Sequence, residues 1–304
     1  MGRPQLIINA DDFGVSKEVN EAVLQGFRKG VLTSCSLVAA GDAFDDAARI
    51  ARENPGLSVG IHLVTIKGRS VLPHESIPSL VDREGRFPSN PAAAGLRYFL
   101  SKKAHRELRL ELEAQFEKCR STGLAISHID GHLHMHIHPV IFRLALDLGE
   151  QYGVKRMRVP QDDFRTAFLF DRRRATRQAA CAIVFRLLTR LMKRRLEKSG
   201  FFFAERAYGH IMSGRISEAY VLFALGRLKA RKNELYLHPA AYDPHTPLTP
   251  GQRQELNEFE ILCGTRVSEQ IEALHIELTS YPGLPTRDVW HSRRENRAPE
   301  SRWP

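Results

Sequence analysis

Cysteine is scarce and scattered. The four in 304 residues, Cys35, Cys119, Cys181 and Cys263, form no C-x-x-C pair. That spacing signals neither a thiolate zinc site nor a disulfide framework, and reduced thiols in a cytoplasmic protein are expected. Long apolar runs are missing too; none approaches the ~20 residues a membrane span requires. "MGRPQL" lacks the Ser or Thr of a myristoylation signal, and "LIINADD" begins so early that no signal peptide is expected. No internal repeat is visible. Acid is in deficit, with 35 Asp and Glu against 45 Lys and Arg, for a net charge of +10 and a pI near 9.7. The surplus favours anionic partners, whether nucleic acid, phospholipid headgroups or acidic ligands, without choosing among them.

The rest is ordinary for a globular chain, with 42% hydrophobic and 26% charged residues, enough for a large core. "QLIIN" is a short continuous apolar run, the pattern of a buried parallel strand. Ser16 is placed to cap a helix whose apolar face carries Val19, Ala22, Val23 and Phe27. "TSCSLVAAG" reads as a second strand, Asp42 as the cap of a second helix, and "LSVGIHL" as a third strand. Residues 64–95 read as a long proline- and glycine-bearing loop, and such loops tend to be functional. Residues 96–120 read as a charged helix. Pro139 suits the first turn of another helix ending near Gly153. "VKRMRVP", "NELYLHPAAYD" and "IELTSYPGL" read as later strands. This alternation predicts an α/β fold, either doubly wound or a closed (β/α) barrel, and both place chemistry at the carboxyl ends of the strands.

Those ends carry the chemistry-bearing residues. In "SHIDGHLHMHIHP", His128, Asp130, His132, His134 and His136 stand two apart, so a strand would present them on one face and Ile129, Leu133, Met135 and Ile137 on the other. Buried imidazoles need hydrogen bonds or a metal. Asp11-Asp12 directly follows the first strand; two adjacent carboxylates repel unless a cation intervenes, after which one can coordinate while the other stays free as a base. His62 ends the third strand. A metal bound by Asp12, His62 and His132, with positions left for water, is the open site of a hydrolase. Zinc, magnesium, manganese and cobalt all suit this donor set. Alone, an Asp-Asp pair is commonly a turn device and a single His a structural one; their coincidence at strand ends argues for a site.

"NADDFG", "GIHL" and "DGHLHMH" together resemble the YdjC-like carbohydrate deacetylases, the group containing chitooligosaccharide deacetylase, over about residues 5–285. The resemblance implies a distorted (β/α) barrel of the glycoside hydrolase/deacetylase type, Asp11 as catalytic base, and Asp12, His62 and His132 as ligands of one divalent ion. Where the family often has a further His, this chain has Leu133. For the general acid that protonates the leaving amine, His238 in "LYLHP" is the first candidate and His134 the second. "GRSVLPHESIPSLVDREGRFP", "GLRYF" and "SGR" at 213–215 resemble the hopanoid-biosynthesis-associated deacetylases in particular. That likeness implies an N-acetylglucosaminyl hopanoid as substrate, giving a glucosaminyl hopanoid.

Residues 165–206 hold twelve arginines and lysines and three acids. Ala180, Val184, Leu187, Leu188 and Leu191 fall on one helical stripe, followed by Phe201, Phe202 and Phe203. Such an insertion can hold a soluble enzyme against the inner face of an anionic membrane; the competing reading is a core-facing helix with a solvated basic back. One domain over residues 1–285 and a basic, disordered tail over 286–304 are expected. The alternatives are a deacetylase of soluble chitooligosaccharides, a two-ion phosphoesterase drawing on Asp130, His134 and His136, and a non-catalytic membrane- or nucleic-acid-binding module. No nucleic-acid motif is recognised, so no nucleic-acid partner is expected. A second copy of the chain, as a homodimer, is an admitted partner.

Overall fold

The computed structural model describes residues 3–161, 164–177, 179–243 and 245–282; the expected tail at 286–304 lies outside them. Parallel strands form the centre: β1 (Gln5–Phe13), β2 (Ser34–Leu37), β3 (Ser58–Leu63), β4 (Ile129–Gly131), β5 (Arg206–Tyr208), β6 (Lys232–Leu237) and β7 (Glu277–Thr279). Their order is β4-β3-β2-β1-β6-β5, with β7 beside the first residues of β1. The sheet curls. Beyond β4, Ile129 N–H donates to Arg156 O and Arg158 N–H to Ile129 O, both at 2.9 Å. The same segment meets Phe202, through Met157 N–H at 3.0 Å, and β5, through Ala207 N–H to Gln161 O at 3.2 Å. The path of hydrogen bonds thus returns to its start, and the fold is a distorted (β/α) barrel. "VKRMRVP" takes part as isolated bridges rather than a full strand.

Helices wrap the sheet where the apolar period changes from two to 3.6. The first, α1 (Lys17–Arg28), starts at Ser16, whose side chain accepts from Val19 N–H, and buries Val19, Ala22, Val23 and Phe27. The next is α2 (Phe44–Glu53). Asp42 does not cap it: the N-cap is Ala43, and Asp42 is largely exposed, 3.8 Å from Arg69. The buried Asn20 amide does the joining instead, accepting from Gly14 N–H and donating to Ala43 O and Asp46. The expected helix over 96–120 is two helices, α3 (Pro91–Leu100) and α4 (Lys102–Ser121), because Ser101 is extended and caps the second. From α4, Glu107 and Glu111 accept from the backbone of Ser79, Val71 and Leu72, which pins the long loop. After α5 (Pro139–Gln151) come α6 (Phe164–Phe170), α7 (Arg172–Arg177) and α8 (Ala179–Lys198). Closing the chain are α9 (Glu218–Leu225), α10 (Pro250–Cys263) and α11 (Thr265–Ala273). No described helix is long and apolar enough to cross a membrane.

The histidine segment departs from expectation. Only Ile129–Gly131 is strand; His132–Ile137 is a kinked 3₁₀ turn, with Leu133 and His134 at φ 48° and 56°. Left-handed backbone at two successive residues ends the two-residue alternation, so the imidazoles leave the single face that a strand would have given them.

Candidate active site

Consecutive strand residues point to opposite faces, so Asp11 and Asp12 could not share a site in a regular strand. A break in register between Ala10 and Phe13 where β1 meets β2, with Asp12 at φ 64°, re-aims Asp12 as β-bulges do. Asp tolerates this left-handed backbone better than most residues. His62 comes from the end of β3 and His132 from the first residue after β4. His132 Nδ1 is hydrogen-bonded to Asp12 Oδ1 at 3.1 Å, and His62 Nε2 lies 3.5 Å from the same oxygen. One donor atom from each of Asp12, His62 and His132 falls within 4.8 Å of the others. The structure therefore brings together the three residues expected to bind metal.

The donor chemistry fits a divalent ion. Asp130 Oδ1 holds His62 Nδ1 at 2.8 Å; with that nitrogen donating, Nε2 turns its lone pair toward Asp12, the carboxylate-backed arrangement of metal-ligating histidines. Burial disfavours charge on His62, but Asp130, then Asp11 and Asp12, outweigh it and raise its pKa to about 9. Burial likewise opposes ionisation of Asp12, yet the His132 hydrogen bond and the charges of His132 and His62 bring its pKa below the usual carboxylate range. A cluster that favours positive charge this strongly suits a cation. Its mouth opens into a cavity of about 210 Å³ bounded by Asp12 and His132, by Val15, Val38 and Val64, and by Lys67 and Arg69.

Behind the three donors lies a residue that motif reading missed. Arg158 is fully buried. Its two terminal nitrogens hold the Asp11 carboxylate, each at 2.7 Å. It also reaches Asp130 at 2.8 Å and Glu234 at 2.7 Å, and its guanidinium lies over the Tyr236 ring. Burial opposes the charge on Asp11, but Arg158 overrides it, with His62 and His238 assisting, and holds Asp11 ionised well below the usual range. Asn9 adds a hydrogen bond to Asp11 at 2.8 Å, and Tyr281 donates to Glu234 at 2.5 Å. In "VKRMRVP" nothing set Arg158 apart from Lys155 and Arg156; of the three only Arg158 is buried, where a charge requires partners.

Asp11, His62 and Asp130 also come within ligand distance of one another. Arg158 already supplies the cation between Asp11 and Asp130, so a second metal there would meet a guanidinium. His238 stands beside Asp11, Nε2 to Oδ2 3.9 Å, and is one-third exposed. Its backbone N–H donates to the buried Glu258 at 2.7 Å, which fixes the strand end that carries it. His134 is turned away. It is buried, its Nε2 is hydrogen-bonded to Tyr236 Oη at 2.9 Å, and burial drives its pKa far down. His136 is held by Arg158 O at 3.1 Å. His128 fits between Ser127 and Ser36 and stacks on Tyr281 at 4.0 Å.

Fold and donors define an α/β-barrel protein with a candidate cation site at the carboxyl ends of its strands. The pattern of the family described as YdjC-like protein matches residues 5–273, and the chain belongs to that family. It is 42% identical over 150 residues to a carbohydrate deacetylase of Brevibacillus brevis, covering 49% of this chain and 57% of that one. It is 43% identical over 162 residues to one from Geobacillus stearothermophilus, with 53% and 60% covered. The matched stretch thus spans less than two thirds of these relatives. An Enterococcus faecalis structure named for cellobiose-phosphate cleavage superposes with a TM-score of 0.71 at 26% identity, over 93% of this chain and 99% of that one.

Proposed function

We propose that the chain is a metal-dependent N-deacetylase that removes acetate from an N-acetylglucosamine group. The observation that carries this reading is the convergence of Asp12, His62 and His132 beside a buried, ionised Asp11 and the half-buried His238. Relatives named carbohydrate deacetylase support it. A divalent ion, if bound, would be held by those three residues and would supply Lewis acidity toward the acetyl carbonyl and water. The residues themselves manage the protons. Asp11 accepts the proton of the attacking water. Because Arg158 makes that carboxylate a poor proton store, Asp11 passes the proton to His238, 3.9 Å away, which delivers it to the departing amine. Acetate and a free amine result. The guanidinium between Asp11 and Asp130 favours one ion over the two of a phosphoesterase.

The substrate in this reading is lipid-borne, an N-acetylglucosaminyl hopanoid, and the enzyme works at the cytoplasmic face of the membrane with residues 165–206 against the bilayer. One barrel domain covers residues 1–285. The test is acetate release by metal-loaded protein offered N-acetylglucosaminyl hopanoid and, separately, N,N′-diacetylchitobiose (chitobiose below). Release from the lipid above that from chitobiose is expected. Release from chitobiose alone would return the substrate to the soluble class, and release from neither would end the deacetylase reading.

A further inference from the structure

An amphipathic helix packed on a protein should bury its apolar stripe and leave a polar back. The helix α8 does not. Its inner side is formed by Phe185, Leu188, Thr189, Met192 and Leu196, with Met192 and Leu196 fully enclosed. Ile183, Val184, Leu187 and Leu191 lie on the opposite side, each more than half exposed at 62%, 55%, 60% and 63%. In sequence, Val184, Leu187 and Leu191 look like the packing stripe together with Leu188; in the structure only Leu188 turns inward. Arg186, Arg190 and Arg194 border the outward stripe and are exposed, and Glu197 is the only acid in the helix. Not every cation nearby is free: Arg174 donates to Ile211 O and Ser213 O, and Lys193 to Glu205 O.

This helix touches the site's own support. Phe185 stacks on His210 at 4.1 Å, and His134 meets both rings, at 6.1 and 5.0 Å. His134 belongs to the same 3₁₀ turn as His132. On the other flank, His138 at the end of that turn is hydrogen-bonded to Gly95 O and meets the Phe99 ring at 6.4 Å. There α3 presents a second apolar patch, Leu96, Phe99 and Leu100, and Leu133 on the turn itself is 45% exposed. The segment that carries His132 thus runs between two exposed apolar patches, one of them edged with arginine.

We propose that α8 is a bilayer-docking helix, its Ile183–Leu191 stripe seated among acyl chains and its arginines on anionic headgroups, so that the mouth beside His132 opens at the membrane surface. The inference rests on the membrane contact proposed above and adds the residues that make it. Charge selects the occupant: four apolar side chains edged by arginines match an anionic bilayer, whereas a second copy of this basic chain would set arginine against arginine.

The test is flotation of the metal-loaded full chain with phosphatidylglycerol–phosphatidylcholine vesicles and with phosphatidylcholine alone. The wild type binds the anionic vesicles, and less so as salt rises. Val184→Glu/Leu187→Glu/Leu191→Glu lowers binding at least about tenfold while melting temperature and chitobiose hydrolysis stay unchanged. Arg190→Glu/Arg194→Glu lowers it by about fivefold per arginine and serves if the triple variant folds poorly. Undiminished binding of both variants, or no binding by the wild type, overturns the proposal. So does a dimer that the triple variant converts to monomer without any vesicle binding, which would assign the stripe to a second copy. Absence of acetate release from both substrates by the wild type, with flotation intact, would instead remove the deacetylase reading and leave docking standing.

Discussion

Arg158 and Asp11 form a bidentate, fully enclosed ion pair, both contacts at 2.7 Å, from segments 147 positions apart in the chain. The pair fixes the carboxylate plane directly behind the three donors. Arg158→Lys keeps a charge but loses the planar two-point contact. Turnover should fall about a hundredfold from misplacement of Asp11, with bound metal retained. Arg158→Met should lower stability by about 3–5 kcal/mol, because three buried carboxylates lose their cation. Metal analysis, kinetics and urea unfolding check these outcomes; an Arg158→Lys enzyme with full turnover would show that Asp11 needs no such positioning.

Ligand and base are separable by substitution. His132→Ala, His62→Ala and Asp12→Ala should each remove most bound metal, seen by elemental analysis after dialysis. Asp11→Asn should keep the metal and lose turnover by about 10²–10⁴-fold, the range of general-base effects. Equal metal loss in Asp11→Asn and Asp12→Ala would mean that both carboxylates are ligands.

Much of this was readable in the chain because buried parallel strands write themselves as continuous apolar runs and βα units place polar residues at strand ends. Asp12, His62 and His132 could be named that way. Three features could not. The bulge that turns Asp12 beside Asp11 depends on register with β2, which no local period encodes. The turn at Leu133 and His134 contradicts the alternation of "HLHMHIH", because buried contacts of His134 with Tyr236 and of His136 with Arg158 outweigh the local preference for strand. Arg158 was invisible because its partners, Asp11, Asp130 and Glu234, are distant in sequence. The outward stripe of α8 followed neither sequence reading fully, since apolar residues occupy both sides of the helix.

Gly41 is where the backbone behind Asp12 closes. A Cβ there would stand 2.1 Å from Gly14 O, a backbone atom that cannot swing aside. Gly41→Ala should therefore destabilise by about 1–3 kcal/mol and reduce turnover by shifting the 11–15 loop. Gly251 in α10 meets nothing within 4 Å, so Gly251→Ala should raise stability by about 0.5–1 kcal/mol. Urea midpoints that move in the same direction for both would contradict the close approach at Gly41.

Acid should weaken the fold through its buried neutral imidazoles. Burial drives the His128 pKa down to about 3, with Asp130 only partly opposing; His210, for the same reason, falls to about 4. Both bind a proton more readily unfolded than folded, so stability is complete above the ordinary histidine value of about 6.5 and declines as pH falls from there toward 3. Asp11 and Asp130 lie below their ordinary value, so their contribution is lost only under stronger acid. His62, raised to about 9, loses its contribution only as pH rises. Between pH 6.5 and 5 each buried neutral imidazole adds up to about 1.4 kcal/mol per pH unit, offset by Glu111, Glu234 and Glu258, whose pKa burial raises. His128→Gln should be less stable at pH 7 but lose less on acidification, by about one proton's slope, in urea titrations at pH 7, 6 and 5. Gly60 makes the site specific for this ring, since a Cβ at Gly60 would stand 2.3 Å from the imidazole. A His128→Gln slope equal to that of the wild type would mean that His128 is protonated in the folded protein.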